Sequence, residues 1–175
     1  MHKRHIHYLT YEPDLEESVV LDAAIKLADE NRQPDFFLKA AAFLCKHTQA
    51  EFVGIGLLEK DKAHVTTCIL LNKEVVMQNF TYSLKGTPCD EVFLQKFCYY
   101  PFGARESFPD DLLLQEMNIE SYLGTLLLSP ESEAVGVVEL LSTKQIENPA
   151  FAEHLILMLS PAIEEELLRQ QSGKR

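Results

Sequence analysis

Three strand-like runs joined by very short polar turns constrain the fold of this chain more than any other feature. They are EFVGIGLLE (51–59), HVTTCILL (64–71) and VVMQNFTYSL (75–84), separated by KDKA and NKE. β-Branched and aromatic residues favour strands, and turns this short usually join antiparallel neighbours. We therefore predict an antiparallel meander whose third strand presents Val76, Phe80, Tyr82 and Leu84 on one face.

Helices are predicted at both ends of the chain. Residues 14–30 carry a narrow apolar stripe after Asp14 as N-cap, formed by Leu15, Val19, Ala23 and Leu27, and a second helix spans 35–48 after Pro34. A long helix begins at Asn148 and Pro149 and runs to about Gln171, with two apolar lines along it. One line can cover a sheet, and the other needs a second cover. This second line and the narrow stripe together predict a homodimer formed through the terminal helices.

The segment between the meander and the last strands is irregular and rich in aromatic residues. More than half of the Phe and Tyr residues lie between residues 80 and 122. We predict short helices at 88–97, after Thr-Pro, and at 110–117, after Phe-Pro, within the segment 85–118. Residues 120–143, ESYLGTLLLSPESEAVGVVELLST, then read as a hairpin of two largely buried strands. Strands in a meander with helices at both chain ends predict an α+β fold.

Composition and charge exclude several classes of function. A chain of 175 residues with 46% hydrophobic residues can form one domain without a disulfide or a metal. The net charge of −11 disfavours binding to nucleic acid or to an anionic membrane surface. No apolar run approaches the roughly 20 residues that cross a bilayer, and the basic start lacks the apolar stretch of a signal peptide, so we expect a cytoplasmic protein. The four cysteines form no C-x-x-C pair, and we predict no metal site.

Four short motifs in a fixed order resemble those of GAF domains in bacterial signalling proteins. They are the run from Tyr82 through Leu84 and Gly86 to Thr87, Pro88 and Cys89; then Phe108, Pro109, Asp110 and Leu113; then Tyr122 and Gly124; and finally Gly136. The resemblance covers about residues 33–171. It divides the chain into an N-terminal tail and helix for dimerisation (1–32), a GAF domain (33–171) and a short tail (172–175).

The resemblance implies a GAF/PAS-like, six-stranded antiparallel sheet with the terminal helices packed on one face. The other face would hold a ligand pocket covered by the segment 85–118. It also implies a non-enzymatic sensory module that binds an unidentified small molecule and passes a signal along the last helix to an output domain or a downstream signalling protein. No cofactor is specified. Because no kinase, cyclase or phosphodiesterase domain follows Arg175 in the sequence, we expect a stand-alone GAF protein or a piece of a larger one. The candidate pocket residues are Phe80, Tyr82, Cys89, Phe93, Tyr99, Phe102, Arg105, Phe108, Asp110 and Tyr122.

The chain departs from the known ligand chemistries of GAF domains. Members that bind cyclic nucleotides carry N-K followed by F-x-x-x-D-E; here Asn72-Lys73 and Phe80 occur without the acidic pair. Bilin-linking members use Cys-His, whereas Cys98 precedes a tyrosine. Members that reduce free methionine sulfoxide use several cysteines in this region, which Cys89 and Cys98 match poorly. A degenerate GAF scaffold that binds nothing therefore remains an alternative.

Two further residues carry competing interpretations. Cys89 follows Thr87 as N-cap and Pro88, with Asp90 where a capping box places its acid. A helix N-terminus would favour the thiolate of a redox sensor or enzyme, while the adjacent acids oppose it; the alternative is a small residue that packs a capped turn. Arg105 could anchor an anionic ligand among aromatic rings, or could pair with a nearby carboxylate on the surface.

Overall fold

The computed structural model describes residues 11–173, so the first ten residues of the predicted N-terminal tail and the last two of the chain lie outside the described range. The elements, in chain order, are α1 (Leu15–Ala28), α2 (Phe36–Thr48), β1 (Phe52–Leu58), β2 (His64–Asn72), β3 (Val75–Val76), β4 (Thr81–Ser83), α3 (Pro88–Gln95), β5 (Phe97–Tyr100), α4 (Ala104–Ser107), α5 (Leu112–Glu116), β6 (Ser121–Leu128), β7 (Ala134–Ser142) and α6 (Pro149–Gly173).

The strands form one antiparallel sheet, which confirms the predicted α+β architecture. Its order is β3-β2-β1-β7-β6-β5, and β4 pairs with β2 on the same side as β3. Within residues 11–173 the sheet has seven strands in six positions, since the two short strands β3 and β4 share one edge. The hairpin of β6 and β7 joins the meander through β7, which pairs with β1 on one side and with β6 on the other.

The third predicted strand is interrupted, and this corrects the expectation of a continuous run over 75–84. Asn79 departs from the ladder: its side chain accepts from the Thr67 hydroxyl at 3.0 Å and donates to the Cys68 carbonyl at 3.2 Å. The Thr67 hydroxyl in turn accepts from the Phe80 backbone N–H at 2.9 Å. The regular pairing with β2 is thus interrupted between β3 and β4. Phe80 and Tyr82 line the roof side of the sheet and Leu84 is buried there, whereas Val76 is exposed and does not share the predicted face.

Strand β5 was missed because the helix predicted over 88–97 ends earlier. Helix α3 stops at Gln95, and Lys96 adopts a left-handed conformation with φ of 70°. That residue turns the chain so that Phe97–Tyr100 pairs with β6 at the edge of the sheet. Of the segment 85–118, the helices α3, α4 and α5 with their connections cover one face of the sheet, and we call this covering layer the roof.

Two buried cores lie on opposite faces of the sheet, as the alternation of side chains along each strand requires. In β1, Val53, Ile55 and Leu57 pack against α1, α2 and α6. Phe52 and Leu58 pack toward the roof, and the two glycines between them, Gly54 and Gly56, share that face. The roof-side face is therefore where small residues leave space.

The terminal helices cover the other face, and they cover each other. Helix α1 begins with a capping box between Asp14 and Glu17 and packs along α6. Both apolar lines of α6 are largely buried within the chain, because α1 and α2 provide the second cover. The second apolar line is therefore no longer a reason to expect a dimer. The start of the α1 stripe faces outward: Leu15 is 88% and Val19 69% exposed.

Candidate functional site

A cavity of about 340 Å³ lies between the sheet and the roof. Strands β1, β2, β6 and β7 form its floor, β4 forms one side, and α3, the segment 110–114 and the chain around Lys85 form its cover. Most of its walls are apolar, and a few polar groups converge on it. Its main lining residues are Gly54, Gly56, Thr67, Leu70, Phe80, Tyr82, Lys85, Cys89, Asp110, Asp111, Leu113, Leu114, Tyr122, Glu139 and Leu141.

The space above β1 depends on Gly54. A Cβ atom there would contact Leu70 Cδ1 at 3.6 Å and the Ile69 carbonyl oxygen at 4.0 Å, which are ordinary van der Waals distances. At Gly56, two residues further along the same face, a Cβ would lie 2.4 Å from Val65 Cγ1. Gly54 therefore borders open space, whereas Gly56 is required for close packing.

Four side chains from four different elements meet at one wall of the cavity. The Tyr82 hydroxyl (β4) donates to Glu139 Oε1 (β7) at 2.5 Å, and the Cys89 thiol (α3) donates to the same oxygen at 2.7 Å. The Tyr122 hydroxyl (β6) lies 3.3 Å from Cys89 Sγ, and the Tyr82 hydroxyl lies 3.2 Å from it. A single carboxylate oxygen thus ties the start of α3 to the sheet.

The environment of this cluster raises the pKa values of its acid and its thiol. Burial raises the pKa of Glu139, against the hydrogen bonds from Cys89 and Tyr82, and the charge of Asp111 adds to the increase. Burial also raises the pKa of Cys89 well above its ordinary value, and the Glu139 charge acts in the same direction. Cys89 is 1% exposed. These shifts favour a protonated thiol that donates to Glu139 over the thiolate that a helix N-terminus would favour.

The helix that carries Cys89 begins without the predicted capping box. Thr87 is the N-cap residue, but its hydroxyl donates to the Leu84 carbonyl at 2.7 Å and makes no cap to the helix. Pro88 occupies the first turn as predicted. Buried Thr87 and Pro88 thus fix the entry of the helix, and Cys89 points into the polar cluster.

Another part of the cavity lining carries two carboxylates and one ammonium. Asp111 caps α5, accepting from the Leu114 backbone N–H at 3.2 Å, and burial raises its pKa against the hydrogen bonds from Leu114 and Leu113. Asp110 and Lys85 lie at the exposed rim. The interior of the cavity is therefore acidic, and among residues 11–173 the one cation that lines it, Lys85, is at the surface.

The Tyr-x-Gly motif has a direct packing explanation. Tyr122 is fully buried and its ring lies over Gly124, where a Cβ would come within 2.6 Å of the tyrosine oxygen and of Val92 Cγ2. Gly124 thus allows the ring of Tyr122 to lie flat between the sheet and α3. The hydroxyl then reaches Cys89.

Half of the ten predicted pocket residues line the cavity, namely Phe80, Tyr82, Cys89, Asp110 and Tyr122. The other five lie elsewhere. Tyr99 is on the helix side of the sheet, where its hydroxyl donates to the Ile146 carbonyl at 2.6 Å. Arg105 pairs with Glu120 at 2.9 Å and donates to Asn118 at 2.8 Å, so it is not an anchor inside the pocket.

The three remaining aromatic residues belong to the roof itself. Phe108 packs edge-on against Tyr100, with ring centroids 5.5 Å apart. Phe93 is half-buried against the roof-side core, and Phe102 is exposed on the outer surface. Phe93 and Phe108 pack within the roof and Phe102 lies on its outer surface, so none of the three rings lines the cavity.

Glu139 is the main residue of the candidate site that the sequence analysis missed. It stands alone in the apolar run AVGVVELLS, two residues after Val137 and two before Leu141, both of which face the roof. A charged residue in a strand that is otherwise buried on both faces is a signal for a polar site, since burying a carboxylate without partners is costly. Asp111 was also overlooked, because it reads as an ordinary helix cap.

Two other classes of site have no counterpart in the described part of the chain. Residues 11–173 contain no cluster of three or more His, Cys, Asp or Glu side chains arranged to hold a metal ion. None of the helices within this range combines the length and the apolar character needed to cross a membrane.

Comparison with solved structures identifies the fold, although no protein-family model and no curated protein matches the sequence. The free methionine-R-sulfoxide reductase of Neisseria meningitidis, solved with its substrate, superimposes with a TM-score of 0.67 and 14% identity, over 96% of this chain and 99% of its own. The GAF domain of the Acinetobacter phosphoenolpyruvate-protein phosphotransferase gives 0.68 and 11%, over 91% and 97%. The GAF domain of a sensor histidine kinase from Bacillus halodurans gives 0.64 and 12%, over 82% and 99%.

Proposed function

Because this chain has the fold of GAF domains, we propose that it is a sensory or regulatory module that holds a small ligand between the sheet and the roof. The observation that carries this proposal is the cavity of about 340 Å³ with apolar walls and a converging polar cluster. Ligand sites in proteins are typically concave and mostly apolar, with a few placed polar groups and volumes of about 300–1,000 Å³. A scaffold that binds nothing gains no stability from such a space, since unfilled volume in a core is destabilising.

We also propose that the module is not an enzyme. One structural neighbour is a reductase, so a thiol mechanism is the natural competitor. A nucleophilic cysteine needs an accessible thiolate, and Cys89 is buried, protonated and committed to Glu139 as a donor. These features favour a structural and ligand-sensing role for the thiol.

Mass spectrometry under native conditions tests ligand binding directly. The protein is purified from its source without denaturation and weighed, then weighed again after unfolding. We expect an additional small mass in the native wild type that is lost on unfolding. Gly54→Leu, expressed in the same host, should lack it because the new side chain enters the cavity. Equal native and denatured masses for the wild type would favour the scaffold alternative.

The output of the module is proposed to pass through α1 and α6, with α1 as the dimer contact and a downstream signalling protein as the receiver. The exposed Leu15 and Val19 motivate the contact. Light scattering at high micromolar concentration should give a dimer for the wild type and a monomer for the double variant Leu15→Glu, Val19→Glu. Leu94→Glu is the matched control, since Leu94 is also an exposed leucine but lies on α3. A wild-type monomer would refute this contact.

A further inference from the structure

Building on the proposed function, we infer that the ligand of the cavity is a small organic cation. Its N–H donors, from an amine, amidine or guanidine, would sit between Glu139 and Asp111, and its apolar body would lie along the inner walls. The inference rests on an unused acceptor, on the charge of the lining and on the shape of the space.

The unused acceptor is the second oxygen of Glu139. Within residues 11–173, the two donors to this side chain are Tyr82 and Cys89, and both reach Oε1. No hydrogen bond from the described residues reaches Oε2, although Glu139 lines the cavity and retains some exposure. Oε2 is therefore free to accept from a molecule in the cavity, and an N–H donor from a ligand would complete the hydrogen bonding of the carboxylate.

The charge of the lining favours a positive head group over a neutral one. Glu139 and Asp111 are close enough that the charge of Asp111 adds to the increase in the pKa of Glu139 caused by burial. Asp110 adds a third acidic group at the rim, where the ammonium of Lys85 also lies. A ligand cation between the two inner carboxylates would remove their repulsion, which a neutral or anionic ligand cannot do.

The remaining walls suit a short apolar or aromatic body. Leu70, Leu113 and Leu141 line the space, and the rings of Phe80 and Tyr82 pack 5.6 Å apart at its edge. Aromatic faces next to a cation add a favourable quadrupole interaction. The volume of about 340 Å³ admits a ligand the size of a single substituted ring.

An isosteric series of probes tests the ligand class. We would titrate the wild type, freed of any retained ligand by unfolding, dialysis and refolding, with 2-phenylethylamine, 2-phenylethanol and phenylacetate, using calorimetry at pH 7.5. The amine should bind at least about tenfold more tightly than the alcohol, and phenylacetate should bind most weakly, because the charge-assisted hydrogen bond exists only for the cation. Glu139→Gln should lower the affinity for the amine by at least about tenfold and change that for the alcohol by less than about twofold.

The pH dependence supplies a readout that altered packing alone would not produce. The groups that face Glu139 are Cys89, Tyr82, Tyr122 and Asp111, and Asp110 and Lys85 lie at the rim. Since burial raises the pKa of Glu139, amine binding should strengthen as pH rises from 5 to 8, while the amine itself stays protonated. This strengthening should be reduced in Glu139→Gln.

The outcomes separate this inference from the proposed function. Equal or tighter binding of the alcohol or of phenylacetate, abolished by Gly54→Leu, would overturn the cationic class and leave a ligand-binding cavity in place. Failure of all three probes to bind would also overturn the cationic class. The sensory proposal itself is then decided by the retained mass in the native protein, which does not depend on the probes.

Discussion

Filling the cavity should stabilise the protein while it removes the binding site, and Gly54→Leu is the change that tests this. The glycine lies in the middle of β1 on the roof side, and a Cβ atom at this position would make only ordinary contacts at 3.6 and 4.0 Å. No left-handed backbone angle requires glycine here. A larger side chain therefore extends into the space between Leu70 and the roof.

The expected gain follows from two contributions. Replacing glycine by a residue with a Cβ reduces the entropy of the unfolded chain by about 0.4–1 kcal/mol at a compatible site. Burying the further carbons of a leucine adds about 0.8 kcal/mol for each one removed from water, and ordering the side chain costs about 0.5–1 kcal/mol. We expect the free energy of unfolding in the absence of ligand to rise by roughly 2 kcal/mol.

A matched glycine two residues away provides the control. At Gly56 a Cβ would lie 2.4 Å from Cγ1 of buried, β-branched Val65, which has little freedom to move. Gly56→Ala should therefore lower the free energy of unfolding by about 1–2 kcal/mol, since overpacking a core costs about 1–3 kcal/mol. Urea titrations followed by circular dichroism measure both variants. If Gly54→Leu lowers the free energy of unfolding, as Gly56→Ala is expected to do, the space above Gly54 is not the cavity described.

Three further predictions concern the polar cluster and its support. Because the pKa of Glu139 is raised above its ordinary 4.5, its protonation stabilises the fold at low pH, and this stabilisation is lost as pH rises through the folded pKa. The free energy of unfolding of the wild type minus that of Glu139→Gln should therefore decrease from pH 4.5 upward in urea titrations. A difference that stays constant with pH would contradict this. Cys89 should react with iodoacetamide at pH 7.5 at least about tenfold more slowly in the folded protein than in urea, by peptide mass mapping, and equal rates would argue for a reactive thiol. Gly124→Ala should cost about 1–3 kcal/mol, because its Cβ would come within 2.6 Å of Tyr122 and Val92; a neutral effect on thermal unfolding would show that the ring of Tyr122 can move aside.

The elements that the sequence predicted well are those with strong local signals. Helix α1 begins after Asp14 as its capping pattern indicates, and β1 and β2 fall within a residue or two of their predicted bounds. Strand β5 was hidden because its residues, FCYY, follow a helix without a glycine or proline, and the turn depends on Lys96 adopting a left-handed conformation. Lysine rarely adopts this conformation, so the sequence alone does not predict a turn at this position.

The candidate site was predicted by region better than by residue. The aromatic segment does cover the cavity, but which rings face inward depends on the strand position of each one. Tyr99 and Tyr100 are neighbours on β5 and point to opposite faces, and without knowing that strand the face of either ring could not be assigned. Glu139 was available from alternation along β7, and its omission came from treating that strand as uniformly buried.

The interrupted margin of the sheet has a consequence for how copies of this protein can associate. The edge next to β2 consists of β3, with two residues, and β4, with three, and the chain leaves the ladder at Asn79 between them. This edge presents no long, uninterrupted row of amide and carbonyl groups, so a strand from another molecule can form few backbone hydrogen bonds with it. Fibrillar growth from this rim is thereby disfavoured.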